Sequence, residues 1–394
     1  MPVIIFYLIA CIPVAFAGIM CALSKKINLL EVLAISAIGF IASGIFHFIA
    51  IHGMTGDVQY LSGYVTSAKH TPTWVEYYEE AIYKTVYYKE KVTEPDSKGK
   101  MVTRTVERSK QVFSHWEPTT RVHSDSYYAN DTIGALGFFN SINSSRYQDI
   151  VSKFGSEQRV PGSRTTGEHK SRMISGDPMD YIAENKNNFV YPTNRMGSWE
   201  NKIKACPSVF SFKKYTKEQA QQMGAYDYPI SKDIWSSQRL LGAVPINPFF
   251  FDQFNAELGA SKKINVIIVN FGDKNESIAE VQQAYWVGGK KNDLVVCYGT
   301  KKDGKTAWVK TFGWTESENV KTYINKIFME NNVSNDILYK MRDVIVKHYV
   351  IKDWRKFDYL TVEIPFSYGI YLLIAQLIMC IAWFFVSYYN EFDR

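Results

Sequence analysis

Three apolar runs lie near the two ends of the chain. Residues 3–23 carry no charge, residues 29–51 carry one acid, Glu31, near an end, and residues 364–387 are uncharged. A helix of about 20 apolar residues crosses the ~30 Å hydrocarbon core of a bilayer. The pattern therefore predicts three transmembrane helices, two in an N-terminal hairpin and one at the C-terminus.

Two other interpretations compete with this one. The first run could be a cleaved signal peptide, because Ala15-Phe16-Ala17 has the small residues of a cleavage site. No basic residue precedes the run, however, and 21 residues are long for a signal core. Buried core helices fit less well, because the runs are apolar on every face.

The short loop between the first two spans indicates the topology. Residues 24–28 contain Lys25 and Lys26 and no acid. Short loops rich in lysine stay in the cytoplasm, whereas long domains cross the membrane largely regardless of charge. We therefore expect this loop and the C-terminal tail to be cytoplasmic and the large domain to be extracytoplasmic. A plain count of basic residues near the spans favours the opposite orientation.

The large domain begins with a β-rich, aromatic stretch. Aromatic and β-branched residues alternate partly with polar ones in residues 74–78, 82–88, 102–106 and 111–116. Residues 94–100 form a polar turn with Pro95 and Gly99. The pattern predicts two long, charged strands that project as an arm.

The stretch that follows shows no sustained period and reads as an irregular connecting region, with short helices near residues 147–154, 179–185 and 217–223. From residue 262 the pattern changes. Continuous apolar strands at residues 264–270 and 292–299 alternate with segments of helical spacing, which predicts the order β-α-β-β-α-α and a buried sheet with helices on its faces.

The fold class is therefore α+β, with five segments along the chain. They are a transmembrane hairpin, a β-rich region, a connecting region, an α/β module and a C-terminal segment with the last span, at residues 1–52, 53–135, 136–261, 262–358 and 359–394.

Composition narrows the functional classes. With 46% hydrophobic and 15% aromatic residues the chain is not disordered, and its mean hydropathy of -0.18 averages apolar ends with a polar middle. The net charge is only +6 over 394 residues, without a block of like charge, so nucleic acid is not an expected partner. Cys206 and Cys297 lie outside the spans and could form a disulfide or stay as buried thiols.

The α/β module resembles the TPM domain, which is found on membrane-anchored proteins of bacteria and plastids. The likeness lies in the strand at residues 266–269, the helix that ends in a Trp286-Val287-Gly288-Gly289-Lys290-Lys291-Asn292-Asp293 corner, and the hairpin to residues 307–309. Some TPM domains are implicated in phosphatase activity or metal binding through an acidic pair in the strand loops. This chain has no adjacent pair, but Asp273 and Asp303 lie in the corresponding loops.

Over its whole length the chain also resembles a set of membrane proteins of bacteria and their phages. The shared features are the N-terminal pair of spans and the motifs at residues 63–66, 283–292, 314–317 and 357–363. This resemblance implies an architecture and no particular activity.

Several residues are candidates for chemistry or contact. His115 and His123, with Asp125 nearby, could hold a divalent metal, although exposed histidines on a polar strand are common. The corner residues Trp286, Gly288, Gly289, Lys290 and Lys291 could form an interaction site that cradles a phosphate, or could simply turn the chain from helix to strand.

Within the second span, Gly39 and Ser43 are one helical turn apart, a spacing that lets helices approach closely.

These features predict a membrane-anchored binding or assembly protein of the cell envelope, with a phage or prophage as one conceivable source. Its partners would be the lipid bilayer and either another protein or a second copy of the chain. No cofactor is expected. The alternatives are a TPM-like, metal-dependent phosphohydrolase, with a divalent metal near Asp273 and Asp303, and a structural membrane oligomer.

Overall fold

The computed structural model describes residues 3–23, 29–95, 101–134, 140–164, 172–206, 211–230, 235–362 and 364–389. The chain divides into two compact units. The terminal unit contains Met1–Gly63 and Pro192–Arg394, and the inserted unit contains Tyr64–Tyr191. The loop at 24–28, the turn at 96–100 and the tail at 390–394, which enter the topology and arm predictions, lie outside the described residues.

The chain is a mixture of helices and strands, as expected for an α+β protein. The described helices are α1 Val3–Leu23, α2 Leu29–Thr55, α3 Ser144–Phe154, α4 Lys217–Met223, α5 Pro248–Lys262, α6 Ser277–Tyr285, α7 Asn319–Glu330, α8 Asn335–His348 and α9 Phe366–Tyr389. The described strands are β1 Gly56–Thr71, β2 Trp74–Pro95, β3 Met101–His123, β4 Ser126–Asp131, β5 Asn140–Ile142, β6 Glu157–Pro161, β7 Arg172–Gly176, β8 Met179–Glu184, β9 Pro192–Glu200, β10 Leu240–Leu241, β11 Asn265–Asn270, β12 Asp293–Thr300 and β13 Thr306–Gly313.

The terminal unit is built on a four-stranded sheet in the order β10-β11-β12-β13. The first three strands are parallel and β13 is antiparallel to β12. All six residues of β11 are buried, because helices cover both faces of the sheet. The predicted order β-α-β-β-α-α is confirmed from β11 to α8.

Alternate residues of the central strands point into two apolar cores. Val266 and Ile268 pack with residues of α5, α7 and α8. Ile267 and Val269 pack on the other face with residues of α4 and α6 and with Trp286. The central strands β11 and β12 therefore lie between two apolar layers.

Two described helices, α2 and α9, are long and apolar enough to cross a membrane. In each, only 22% of the most apolar window is buried, unlike the core helix of a soluble domain. The expectation of three such helices is met by two. The described side chains of α1 begin at Tyr7, and the apolar stretch Tyr7–Leu23 is about 26 Å long, short of a ~30 Å hydrocarbon core.

The inserted unit is β-rich, as the sequence predicts. One sheet has the antiparallel order β5-β4-β1-β8-β6, and a second has the order β3-β2-β7. Helix α3 buries Tyr147, Ile150 and Phe154, spaced three to four residues apart on one face.

The prediction of an irregular connecting region at 136–261 is wrong. The described part of this stretch contains strands β5 to β10 and helices α3, α4 and α5. The predicted short helix at 179–185 is strand β8, whereas the helices near 147–154 and 217–223 are present. Short strands that pair with distant partners carry little local pattern, because the partner supplies the hydrogen bonds.

Candidate functional site

A cleft of about 240 Å3 lies in the terminal unit, beside the corner that joins α6 to β12. Its walls include Asp57, Asn201, Lys204, Tyr228, Trp286 and Lys290. The predicted interaction residues Trp286, Gly289 and Lys290 therefore line one cleft. Lys291 lies outside this lining and places its ammonium 5.7 Å from the centre of the Trp199 ring.

The corner has an unusual backbone. Val287, Gly288 and Gly289 all have positive φ, at 52°, 80° and 91°. Glycine tolerates this conformation, whereas a β-branched residue such as valine is strained in it. A side chain at Gly288 would press against Phe212 and Trp314, both 3.1 Å from the added carbon. The corner is thus a tight, specified turn.

The amide groups of this corner are already used. The N–H groups of Val287, Gly288 and Gly289 donate to carbonyls of residues 283–286, and the N–H of Lys290 donates to Asp293 Oδ2 at 2.7 Å. A phosphate cradle needs free amides that point at the anion. Any anion in this cleft must therefore be held by side chains.

Two lysines supply positive charge to the cleft. Lys290 Nζ forms an ion pair with Asp57 and lies 5.4 Å from the centre of the Tyr228 ring. Asp57 also accepts from Asn201 Nδ2 at 2.9 Å and from the N–H of Val58 at 2.8 Å, and its side chain is only 8% exposed. Lys204 is exposed and donates to the Gly56 carbonyl at 3.2 Å. With two ammonium groups and one carboxylate, the charged side chains that line the cleft carry a net charge of +1.

A buried carboxylate supports the wall of the cleft. Asp293, at the start of β12, accepts from the Tyr228 hydroxyl at 2.9 Å and from Asn265 Nδ2 at 2.7 Å. Burial raises the pKa of Asp293, and burial together with Asp293 raises the pKa of Tyr228. These bonds fix the Tyr228 ring, which stacks on Tyr60 with centroids 5.7 Å apart.

A buried guanidinium lies near this network. Arg239 is 3% exposed, and Nη1 donates to Ser62 Oγ at 2.6 Å, which in turn donates to Asn194 Oδ1. Burial lowers the pKa of Arg239. Its Nη2 has no hydrogen-bond partner among the described residues. Tyr228, Asp252 and Asp293 act on the pKa of Arg239 in the direction opposite to burial.

The second candidate feature is the hairpin arm of the inserted unit, formed by β2 and β3. These strands pair from Trp74 and His123 to Pro95 and Met101. Strand β7 pairs with β2 only as far as Tyr78, so a two-stranded ribbon continues for about 55 Å. No residue with a described side chain is buried in its segments 79–93 and 101–118. The predicted pair of long, charged strands is confirmed.

One face of the arm carries aromatic side chains. Tyr83 pairs with Phe113 across the ribbon, with ring centroids 6.2 Å apart, and Phe113 contacts Trp116 at 5.6 Å. Tyr87 lies four residues after Tyr83, on the same face of the strand. Tyr87 is 70% exposed and Tyr83 is 59% exposed. We call Tyr83, Tyr87, Phe113 and Trp116 the aromatic face.

The structure does not bring the proposed metal ligands together. His115 and His123 lie eight residues apart on one strand, about 26 Å, so they cannot share an ion. His123 instead bonds the buried Glu76 at 3.1 Å and stacks on Trp74, and His115 bonds Ser114. Asp125 bonds Thr73.

The loops that carry Asp273 and Asp303 do meet at one edge of the sheet. The N–H of Thr300 donates to the Gly272 carbonyl at 2.6 Å. Asp303, however, accepts the N–H of Lys305 and thus closes its own turn. No group of three or more His, Cys, Asp or Glu side chains that could hold a metal occurs among the described residues.

The sequence left open whether Cys206 and Cys297 form a disulfide or stay as buried thiols, and the structure shows the second state. Cys206 and Cys297 are buried thiols and are not joined in a disulfide. Cys206 donates to the Thr361 carbonyl at 3.0 Å, whereas Cys297 lies within the sheet core of β12, where burial raises its pKa.

Gly39 and Ser43 pack within the chain. Gln376 of α9 donates through Nε2 to the Gly39 carbonyl at 3.0 Å and to Ser43 Oγ at 2.9 Å. A carbon added at Gly39 would lie 2.9 Å from the Pro13 ring of α1. The small-residue spacing therefore serves contacts among α1, α2 and α9.

Sequence reasoning missed Asp57, Lys204, Arg239 and Asp293 as members of one region. Asp293 carried a usable signal, because a charged residue there begins a buried strand. The contribution of residues 57 and 204 had no such signal, since both reach the cleft from distant parts of the chain.

No protein-family model, characterised protein or solved structure matches this chain. The resemblance to TPM domains stays a prediction.

Proposed function

We propose that this is a membrane-anchored binding or assembly protein of the cell envelope, and that the aromatic face of the arm contacts a protein partner or a second copy of the chain. The single observation that carries the proposal is this exposed aromatic face on a two-stranded ribbon. Isolated two-stranded ribbons are marginally stable in water, and exposed edges invite pairing. Binding would cover the aromatic face.

The chemistry of the arm favours a protein partner. Aromatic side chains supply much of the binding energy in protein interfaces. Segments 79–95 and 101–118 contain six acidic and six basic residues, so the arm has no net charge with which to track nucleic acid.

Anchoring rests on α2 and α9, whose apolar side chains are mostly exposed in the chain itself. We propose α1 as a third span. Its whole length of 21 residues corresponds to about 32 Å, and its Pro13 packs against Gly39 of α2. The domain would then be extracytoplasmic, as the lysines of the 24–28 loop indicate.

Photocrosslinking tests the arm. A photoreactive phenylalanine derivative is placed at Tyr87, on the aromatic face, and as a matched control at Tyr88, which lies on the opposite face of the same strand. We expect one discrete adduct from position 87 in intact cells and little from position 88. An adduct of twice the 45.2 kDa chain would identify a second copy, and another mass a different protein.

The adduct should disappear when Tyr83 and Phe113 are both replaced by serine. Equal crosslinking from positions 87 and 88, or none from either, would refute the role of the aromatic face.

A further inference from the structure

The cleft of the terminal unit lies at the point where α2 ends. Asp57 follows the last helical residue, Thr55, by two positions. Asn201 donates its N–H to the Thr55 carbonyl at 2.7 Å, and Lys204 bonds the Gly56 carbonyl. Asp57, Asn201 and Lys204, which line the cleft, thus lie at the end of a candidate membrane helix. Asp57 is close to it in the chain, and the other two are hydrogen-bonded to its last residue and to the residue that follows.

The length of α2 places this end at the lipid headgroups. Its 27 residues span about 40 Å, close to the ~40–45 Å of a bilayer with its headgroup layers. Three tryptophans contact one another beside the corner that lines the cleft. Trp354, twelve residues before α9, contacts Trp199 and Trp314 and donates to the Lys291 carbonyl at 3.2 Å. Tryptophan is enriched at membrane interfaces, which agrees with this placement.

The polar groups of the cleft suit an anion. Each ammonium has three N–H donors. Among the described contacts, Lys204 uses one on Gly56 and Lys290 uses one on Asp57, so both keep donors for a ligand. Asp57 balances one of the two ammonium charges, and a net charge of +1 remains among the residues that line the cleft to attract an anion. At about 240 Å3 the cleft is smaller than the ~300–1,000 Å3 of pockets for drug-sized molecules, so it fits a headgroup rather than a whole lipid.

We propose that this cleft binds the phosphate group of a phospholipid headgroup between the ammonium groups of Lys204 and Lys290. The proposal rests on the membrane anchoring proposed above. Tyr228 and Trp286, held by Asp293 and by the Tyr226 carbonyl, form a rigid wall behind the phosphate. Such binding would hold the foot of the terminal unit against the bilayer surface.

Calorimetry on the full-length chain in dodecyl maltoside tests the proposal. The probes are dihexanoyl phosphatidylglycerol, inorganic phosphate, and dihexanoyl glycerol, which lacks the phosphate. We expect saturable binding of the phospholipid that weakens as salt is raised, and no comparable binding of dihexanoyl glycerol. Binding of inorganic phosphate alone would overturn the headgroup as ligand, and equal binding of both lipids would overturn the phosphate.

Lysine variants locate the site. Lys204→Gln should weaken phospholipid binding about three- to tenfold, the effect of losing one partly exposed charge-assisted bond. Lys204→Arg should restore it. The matched control is Lys302→Gln, because Lys302 is also exposed but lies in the turn at the other end of β12. Unchanged binding in Lys204→Gln, or an equal loss in Lys302→Gln, would overturn the proposal.

A separate readout distinguishes this proposal from the anchoring. Retention of the chain in the membrane pellet after alkaline carbonate treatment depends on the helices and should be the same in Lys204→Gln. If the unchanged chain itself were released by carbonate, anchoring would fail. If Lys204→Gln lost phospholipid binding but stayed fully in the membrane pellet, the change would lie in the cleft and the anchoring would be unaffected.

Discussion

Replacing Gly39 by alanine should weaken the packing of α1, α2 and α9 against one another. The added carbon would lie 2.9 Å and 3.2 Å from ring atoms of Pro13 and 3.4 Å from Gln376 Oε1. A proline ring cannot rotate away as a long side chain can, so α1 or α2 must shift. Gly44 lies on the same helix, and a carbon added there meets nothing within 4 Å.

The comparison of the two variants isolates the contact. Gly→Ala in a helix gains about 1 kcal/mol from propensity at either position. Overpacking costs about 1–3 kcal/mol and applies to Gly39 alone. We therefore expect Gly39→Ala to be less stable than Gly44→Ala by about 1–3 kcal/mol.

The assay follows the thiol of Cys380, which is 1% exposed in α9. Purified chain in mixed micelles is exposed to rising fractions of dodecyl sulfate and then to a maleimide, and mass spectrometry of the Cys380 peptide reports the labelled fraction. Gly39→Ala should be labelled at a lower dodecyl sulfate fraction than Gly44→Ala. Coincident labelling curves would refute the packing of α1 and α2 at Gly39.

Other variants test the inserted unit and the corner. Asp180 is 2% exposed and pairs with Lys69 and Arg164, each at 2.7 Å, so Asp180→Asn should cost about 3 kcal/mol at pH 7 in urea unfolding. Burial alone would raise the pKa of Asp180, but hydrogen bonds from Lys69 and Arg164 lower it below its ordinary value. A lowered pKa stabilises the folded chain at every pH above about 3.9, the pKa of an aspartate in the unfolded chain. The difference in unfolding free energy between Asp180→Asn and the unchanged chain should therefore shrink as the pH falls below about 3.9. Val287→Asn should raise the free energy of unfolding by about 1 kcal/mol, and with it the thermal midpoint, because asparagine tolerates positive φ with less strain than valine.

Two outcomes would contradict these expectations. A constant effect of Asp180→Asn between pH 7 and pH 3 would show that the charge of this carboxylate does not stabilise the inserted unit. A lower midpoint for Val287→Asn would show that the valine side chain contributes more by packing than its backbone conformation costs.

The parts of the fold that were predictable have a local cause. Strands β11 and β12 were visible because a strand buried on both faces must be continuously apolar. The arm was predictable because its charged residues alternate with aromatic ones, a pattern typical of strands whose faces are exposed to solvent. Helix α5 was missed although Asn247 caps it and Pro248 occupies its first turn, a known start signal.

Other parts depend on distant partners. Strand β8 spans only six residues and pairs with β1 and β6, which lie elsewhere in the chain. Its pattern therefore resembled a short helix. The cleft likewise joins Asp57 to Lys290, residues 233 positions apart. A single sequence carries no record of that approach, so only one wall of the cleft, the 286–290 corner, was predictable.

The most direct test of the central claim is labelling of a Tyr88→Cys variant in intact cells with a membrane-impermeant maleimide. Tyr88 is 40% exposed on the face of the arm opposite the aromatic face, whereas Cys206 and Cys297 are buried and should not react. A membrane-anchored chain with an extracytoplasmic domain predicts full labelling of the introduced thiol at position 88 in the membrane fraction without permeabilisation. Labelling only after the cells are permeabilised would contradict it.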